Sequence, residues 1–322
     1  MRPRKIIPET PVTDFLNSYP NKKTRENYRV AITHFLHTVC RSSRSGKFAK
    51  PDVLAVRYFA DLKNGVRNHF HDLKSYGLLL TEKYAPTTTS LYLSLASIWL
   101  DENGYPLTRR EKFRISALLP PPYPLDREVE IKRSTFRAIY NALPEDVSVL
   151  FLVQIASGMR LGEALALRKS DVDWDGERVE IKIPADITKT KAARTTYLTE
   201  EAGFVLLEYL QSRRDDDERL FLISYHQAQK AMRDASRDMG FTHEINGRKV
   251  GVHWHMTRKW FISRFSLVAS KDVAEHLAGH EGYLSRSYRR YSKKQALKEY
   301  QKAEAKLSIL REYEVYYGLG GI

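Results

Sequence analysis

Arg160 and Glu163 stand three residues apart in Ser157-Gly158-Met159-Arg160-Leu161-Gly162-Glu163, directly after an apolar stretch. A second arginine, Arg258, follows His255 by three in His255-Met256-Thr257-Arg258, and Gly279-His280 precedes Tyr288. Two arginines suit a phosphodiester, because one planar guanidinium can hold two nonbridging phosphate oxygens where an ammonium offers a point charge. The histidines supply proton donors and acceptors, and a tyrosine hydroxyl supplies an oxygen nucleophile. Each residue also has a plainer reading. Arg160 and Glu163 could be a surface ion pair one helical turn apart, His255 a core histidine beside Trp254, and His280 a helix cap.

Positioning such side chains calls for mostly helical elements. Tyr28, Ala31, Ile32, Phe35 and Val39 recur at helical spacing after Thr24, and Val53, Val56, Phe59 and Leu62 do so after Pro51. Pro86 to Leu100 predicts a third helix with Leu91, Leu95, Ile98 and Trp99 on one face. Leu119-Pro120-Pro121-Pro122-Tyr123-Pro124 cannot continue a helix and reads as an interdomain linker. Beyond it, Ser134 can cap a helix to Leu143, and Pro144 can open another that Gly158 stops. Arg160 to Leu167 predicts a short helix with Arg160 and Glu163 on one face. Val179, Ile181 and Ile183 alternate as in a half-buried strand, and Thr195 to Leu198 is β-prone beyond the polar stretch Thr188 to Arg194, so an antiparallel hairpin is expected. Further helices are expected over Glu200 to Leu210, over Tyr225 to Met239, from His255 to Phe265, and through Ala296, Tyr300, Ala303, Leu307 and Leu310. The expected fold class is mainly α with a small antiparallel β-hairpin or sheet, with a helical N-terminal domain over 1–119, a linker over 120–131 and a second domain over 132–322.

The 322 residues are enough for two domains that each bury a core. Lys and Arg outnumber Asp and Glu by 53 to 39, a net charge of +14 that makes an extended polyanion the first partner to consider and an anionic membrane surface the second. No apolar run approaches the roughly 20 residues that span a bilayer, and Met1 to Ile7 does not lead into a signal peptide, so the expected compartment is the cytoplasm. One cysteine, Cys40, forms no internal disulfide, and no Cys-x-x-Cys suggests zinc. His276 and His280 are a poor zinc pair, because Gly279 interrupts their helix and no third ligand is evident.

At these residues the chain resembles the tyrosine recombinase (phage integrase) family, in which an Arg, a Lys, a His-x-x-Arg, a further His and a Tyr form one active site. Ser157 to Glu163, with Leu167-Arg168-Lys169-Ser170-Asp171-Val172, is similar to the family's first box, and Leu277-Ala278-Gly279-His280 to its Leu-Gly-His. Two departures stand out: Thr257 replaces the usual leucine, and Tyr288 follows His280 by eight residues, one fewer than is common in the family. The segment after Ser292 resembles that of archaeal-type integrases.

The resemblance implies that Arg160 and Arg258 clamp the scissile phosphate and that Glu163 braces the pocket. Lys189, with Lys191 as competitor, would be the general acid on the hairpin, His255 and His280 would assist proton transfer, and Tyr288 would be the nucleophile, with Tyr291 as alternative. It further implies strand exchange through a 3′-phosphotyrosyl bond without metal or cofactor, on double-stranded DNA bearing attachment sites. The implied assembly is a homotetramer in which the amphipathic segment Lys293 to Arg311 docks on a neighbouring protomer. A type IB topoisomerase would use nearly the same residues, and a non-enzymatic DNA-binding regulator would use the charge alone.

Overall fold

The structure, a computed structural model, describes residues 10–40, 49–119, 132–245, 248–279 and 291–310. The expected linker, His280 and Tyr288 therefore lie outside the described residues. The chain divides into two compact units, Met1–Asp126 and Arg127–Ile322. No helix among the described residues is long and apolar enough to cross a membrane.

The first unit is helical: α1 Pro11–Asn17, α2 Lys22–Cys40, α3 Pro51–Lys63, α4 His69–Lys83, α5 Pro86–Glu102 and α6 Arg109–Ser116. Prolines occupy the first turns of α1, α3 and α5, where a missing N–H costs nothing. Asn68 caps α4, and Thr108 with Glu111 forms a capping box on α6. Asp52 accepts from Val12 N (2.8 Å), Thr13 N (3.0 Å) and the Thr13 hydroxyl (2.6 Å), tying α1 to α3. The core is aromatic, with Phe35 edge-on to Tyr58 and Tyr76 and Phe59 against Trp99.

On α2 the buried face is the expected one, with Tyr28, Ala31, Ile32 and Phe35. Two other faces are corrected. On α3, Val53 and Val56 point outward, 61% and 43% exposed, while Leu54, Ala55, Tyr58 and Phe59 are buried. A string of three-residue steps slips by about 60° per step around a helix, so Val53 and Val56 cannot share a stripe with Leu62. On α5, Leu91 and Ile98 face outward, and Leu93, Ala96, Trp99 and Leu100 are buried. Trp99 lies at the edge of the expected face, about 80° round the helix from Leu91, and the buried arc continues from it through Ala96, Leu100 and Leu93.

The second unit holds α7 Arg133–Ala142, α8 Glu145–Ser157, α9 Leu161–Ala164, α10 Glu200–Ser212, α11 Tyr225–Asp238, α12 His255–Phe265, α13 Lys271–Ala278 and α14 Lys293–Leu307. Helix α8 is buried at every position from Val147 to Ser157, and α7, α9, α10, α12 and α14 pack around it. The strands β1 Val172–Asp173, β2 Glu180–Ile183 and β3 Arg194–Tyr197 form an antiparallel sheet in that order, with Ile181 opposite Thr196 and Ile183 opposite Arg194. The expected hairpin is present, but Arg194 opens its second strand instead of ending the turn. A further hairpin, β4 His243–Ile245 with β5 Arg248–Val250, was not among the expectations.

Helix α14 buries Ala296, Tyr300, Ala303 and Leu307 as its periodicity requires. Within the chain that face packs against α8, α12 and α13. The Tyr300 hydroxyl donates to Ala156 O at 2.8 Å, and Trp260 Nε1 donates to Leu307 O at 3.3 Å. An amphipathic stripe reports that something covers it, and among the described residues Ala296, Tyr300, Ala303 and Leu307 are covered from within the chain.

Candidate active site

The pocket forms where two helices end. Helix α8 stops at Gly158, whose φ of 66° is left-handed, and α13 stops at Gly279, with φ 69°. Neither position has room for a side chain. A Cβ on Gly158 would fall 2.4 Å from the Phe261 ring, and one on Gly279 would fall 2.7 Å from the Arg194 guanidinium carbon.

Three arginines from different elements take up the last carbonyls of α13. Arg194 Nε donates to Leu277 O at 3.1 Å, Arg258 Nη1 donates to Ala278 O, and Arg160 Nη2 donates to Gly279 O at 3.2 Å. Arg258 Nη1 also donates to Gly158 O at 2.9 Å, so one guanidinium ties the ends of both helices together. Helix C-termini carry partial negative charge and unsatisfied carbonyls, which explains why cations collect there.

Glu163 joins two of these arginines. Its Oε2 accepts from Arg160 N (2.9 Å) and Arg194 Nη2 (2.6 Å), and its Oε1 from Arg160 Nη1 (2.9 Å) and Arg194 Nη1 (3.3 Å). Helix α9 is shorter than expected and places Arg160 just before its first turn, in extended backbone with ψ 148°. The expected ion pair with Glu163 is present, but Glu163 is 2% exposed and Arg194 is its second partner. Burial pushes the Glu163 carboxyl up, yet Arg194 and Arg160 more than offset this and hold it below its usual value.

Among the described residues three guanidinium groups face one carboxylate, and Arg258 bears both the burial and the excess positive charge. This side chain is 3% exposed, and burial, then Arg160 and Arg194, lower its pKa to about 10. Its Nη2 is buried and has no hydrogen-bond partner among the described residues. A buried donor left without a partner is costly, and an anion would satisfy it.

The remaining expected residues divide. His255 is the exposed first residue of α12, one turn before Arg258. Lys189 and Lys191 lie in the exposed turn between β2 and β3. Lys191 has φ 54° and donates to Asp186 O at 2.8 Å, and the turn is pinned by Thr188, whose hydroxyl accepts from Ala192 N at 3.1 Å. Tyr291 is half-buried against the cluster of α12, α13 and α14, with its ring 5.9 Å from that of His276. The contacts bring Arg160, Glu163 and Arg258 together; they do not join Lys189 or Tyr291 to that cluster. Sequence reasoning missed Arg194. Its signal is alternation, for Arg194 is in phase with Thr196, which is wholly buried and donates to Ser157 O at 2.9 Å.

The sequence pattern of the phage integrase family matches residues 130–297, just over half of the chain, and encloses all of these positions. The chain belongs to the phage integrase family. Its activity is that of a site-specific DNA recombinase, and the topoisomerase and regulator readings are not favoured. Comparison with curated proteins gives no match. Among solved structures the chain is similar to a lambda integrase dimer bound to a COC' core site, at 14% identity and TM-score 0.60, covering 88% of this chain and 96% of that one. A lambda integrase tetramer bound to a Holliday junction gives 14% identity and TM-score 0.59, covering 88% and 78%. The Tn1549 transposon integrase in complex with circular intermediate DNA gives 12% and 0.53, covering 84% and 98%. At these identities the likeness bears on the fold, and the fold of this recombinase is theirs.

Proposed function

We propose that this recombinase cuts and rejoins double-stranded DNA at the arginine pocket, with Arg160 and Arg258 holding the scissile phosphate. The observation that carries the reading is the buried Nη2 of Arg258, which has no partner among the described residues, in a cluster where three arginines meet one carboxylate among those residues. A phosphodiester brings one negative charge and two nonbridging oxygens, which supplies both the missing acceptor and the missing counter-charge.

In this reading the Tyr288 oxygen attacks phosphorus and the bond to the 5′ oxygen breaks, leaving a 3′-phosphotyrosyl ester. The phenol proton leaves with help from His255 or His280, and Lys189 protonates the departing 5′ oxygen, so protons balance across the step. A phenol titrates near ~10 and is a weak nucleophile until nearby cations stabilise the developing phenolate, which the arginine excess favours. A 5′ hydroxyl from a partner strand reverses the step and completes exchange. Residues 1–119 serve as the core-binding domain, 120–131 as linker and 132–322 as the catalytic domain, acting on DNA in the cytoplasm. A net charge of +14 supports the DNA partner, and the lambda integrase tetramer on a Holliday junction supports a homotetramer on synapsed attachment sites.

The test uses a library of nicked duplexes of random sequence, from which wild-type protein captures the substrates it cleaves. Wild type should form a covalent adduct, Tyr288→Phe none, and Tyr291→Phe at least part of it. An adduct peptide mapped by mass spectrometry to Tyr291, or outside residues 287–291, would refute the nucleophile assignment.

A further inference from the structure

Arg194 has no part in the step just described, yet it is more completely engaged than either proposed clamp. Its side chain is 6% exposed. Two nitrogens hold both Glu163 oxygens and the third holds Leu277 O, so every guanidinium nitrogen has a protein acceptor. That differs from Arg258, whose Nη2 has none among the described residues. Arg194 is therefore built to hold protein groups in place. What it holds is informative: Glu163 carries the Arg160 side chain on Oε1 and the Arg160 backbone on Oε2, while Leu277 lies three residues before His280.

Gly279 reinforces the arrangement. With φ 69° and no Cβ, it lets the Arg194 guanidinium lie against the turn just before His280. Arg194 also opens β3 five residues after Lys189, and its strand partner is Ile183 at the other root of the hairpin. One side chain thus links the base of the lysine hairpin, the brace of the first arginine and the end of α13.

We propose that Arg194 is a positioning residue of the recombinase, fixing the Arg160 guanidinium through Glu163 and the end of α13 through the Leu277 carbonyl. This rests on the reading of the pocket as the cleavage site. A stabilising pair alone would not need this chemistry, since a buried ion pair is often replaceable by apolar groups at no loss. Here the pair places a third cation beside two others that already repel one another.

The test measures single-turnover adduct formation and duplex affinity on the nicked substrate that wild type selects. Arg194→Ala should slow adduct formation about 10–100-fold, because small misplacement of a clamp is enough to lose rate, while affinity stays within about threefold. Arg194→Lys should remain at least about tenfold slow, since one ammonium cannot span both Glu163 oxygens and the Leu277 carbonyl. If Arg194 acts through Glu163, the double variant Arg194→Ala, Glu163→Gln should be no more than about threefold worse than the poorer single variant. Arg194→Lys at the wild-type rate, multiplied losses in the double variant, or cleavage and affinity falling together would each overturn the inference. Should the alanine variant lose its fold by circular dichroism, the lysine and Glu163→Gln proteins carry the decision. Failure of wild type to form any adduct would instead sink the cleavage-site reading, so the two failures are distinct.

Discussion

Replacing Arg258 by lysine keeps the charge and removes the shape, which isolates what the guanidinium contributes. Arg258 Nη1 is committed to the Gly158 and Ala278 carbonyls, which leaves Nη2 for a ligand. A lysine has one nitrogen for all of these tasks. If that nitrogen stays with the carbonyls, the phosphate loses a donor aimed at its developing charge, a loss of about 10²–10³ in rate or roughly 3–4 kcal/mol. The depression of Arg258 from its ordinary guanidinium value to about 10 corresponds to roughly 3 kcal/mol of unfavourable burial and repulsion. The folded protein holds this proton less tightly than the unfolded chain does. The unfavourable contribution is therefore present in full below about pH 10 and relaxes as pH rises from there towards the ordinary guanidinium value. A phosphate in the pocket offsets the same repulsion at neutral pH. Duplex affinity should change little in Arg258→Lys, because many phosphates share it. Adduct formation at pH 7, followed in single turnover on denaturing gels, should fall about 10²–10³-fold. A lysine variant that cleaves within about threefold of wild type would show that the unpartnered nitrogen does not hold the phosphate.

Three other outcomes follow from the same geometry. Glu163 is held below its usual value, so it contributes stability above the unfolded value near 4.5 that is lost as pH falls through the folded one. Glu163→Gln should flatten the acid limb of Tm against pH, and an unchanged limb would count against Glu163 as the titrating brace. Lys189→Ala should cleave poorly and recover on a substrate with sulfur at the 5′ bridging position, a leaving group that needs no proton. Rescue confined to Lys191→Ala would move the general acid to that residue. Gly158→Ala should cost roughly 2–5 kcal/mol by urea unfolding, combining left-handed backbone strain with overpacking. A loss below about 1 kcal/mol would mean that the Phe261 ring moves aside without cost.

What could be read in the chain depended on how local the determinant was. Arg160 with Glu163 and His255 with Arg258 are pairs three apart, a spacing visible in the chain itself, although Arg160 precedes α9 in extended backbone and His255 is exposed where Arg258 is buried. Arg194 sits in a strand, where the side chain's destination is set by pairing with Ile183 and by the distant carbonyl of Leu277. Helix α4 was hidden for a related reason. Gly77 reads as an interruption between Leu73, Tyr76 and Leu80, but a Cβ there would lie 3.4 Å from Leu93, so the glycine marks close approach to α5. The β4–β5 hairpin did leave a sequence signal, the Asn246-Gly247 pair between its strands, which favours tight hairpin turns. The amphipathic stripe on α14 was legible, but its partner was not, since periodicity records burial without saying against what.

The arrangement of Leu277, Ala278 and Gly279 explains how three arginines can share a buried site before any DNA arrives. Like charges this close repel, and the lowered pKa of Arg258 reflects first its burial and then that repulsion from Arg160 and Arg194. Each guanidinium donates to a carbonyl at the end of α13, where the helix dipole is worth about half a negative charge. Among the described residues Glu163 supplies the one full negative charge, to Arg160 and Arg194. The result is a site whose cations are oriented by folding and left short of counter-charge. Donors fixed in advance need no reorganisation when charge develops on the phosphate, which is the condition under which electrostatic stabilisation is largest. The same logic gives the two C-terminal glycines their place: a side chain at Gly279 would push Arg194 off the carboxylate, and one at Gly158 would push α8 away from Phe261 on the helix that carries Arg258.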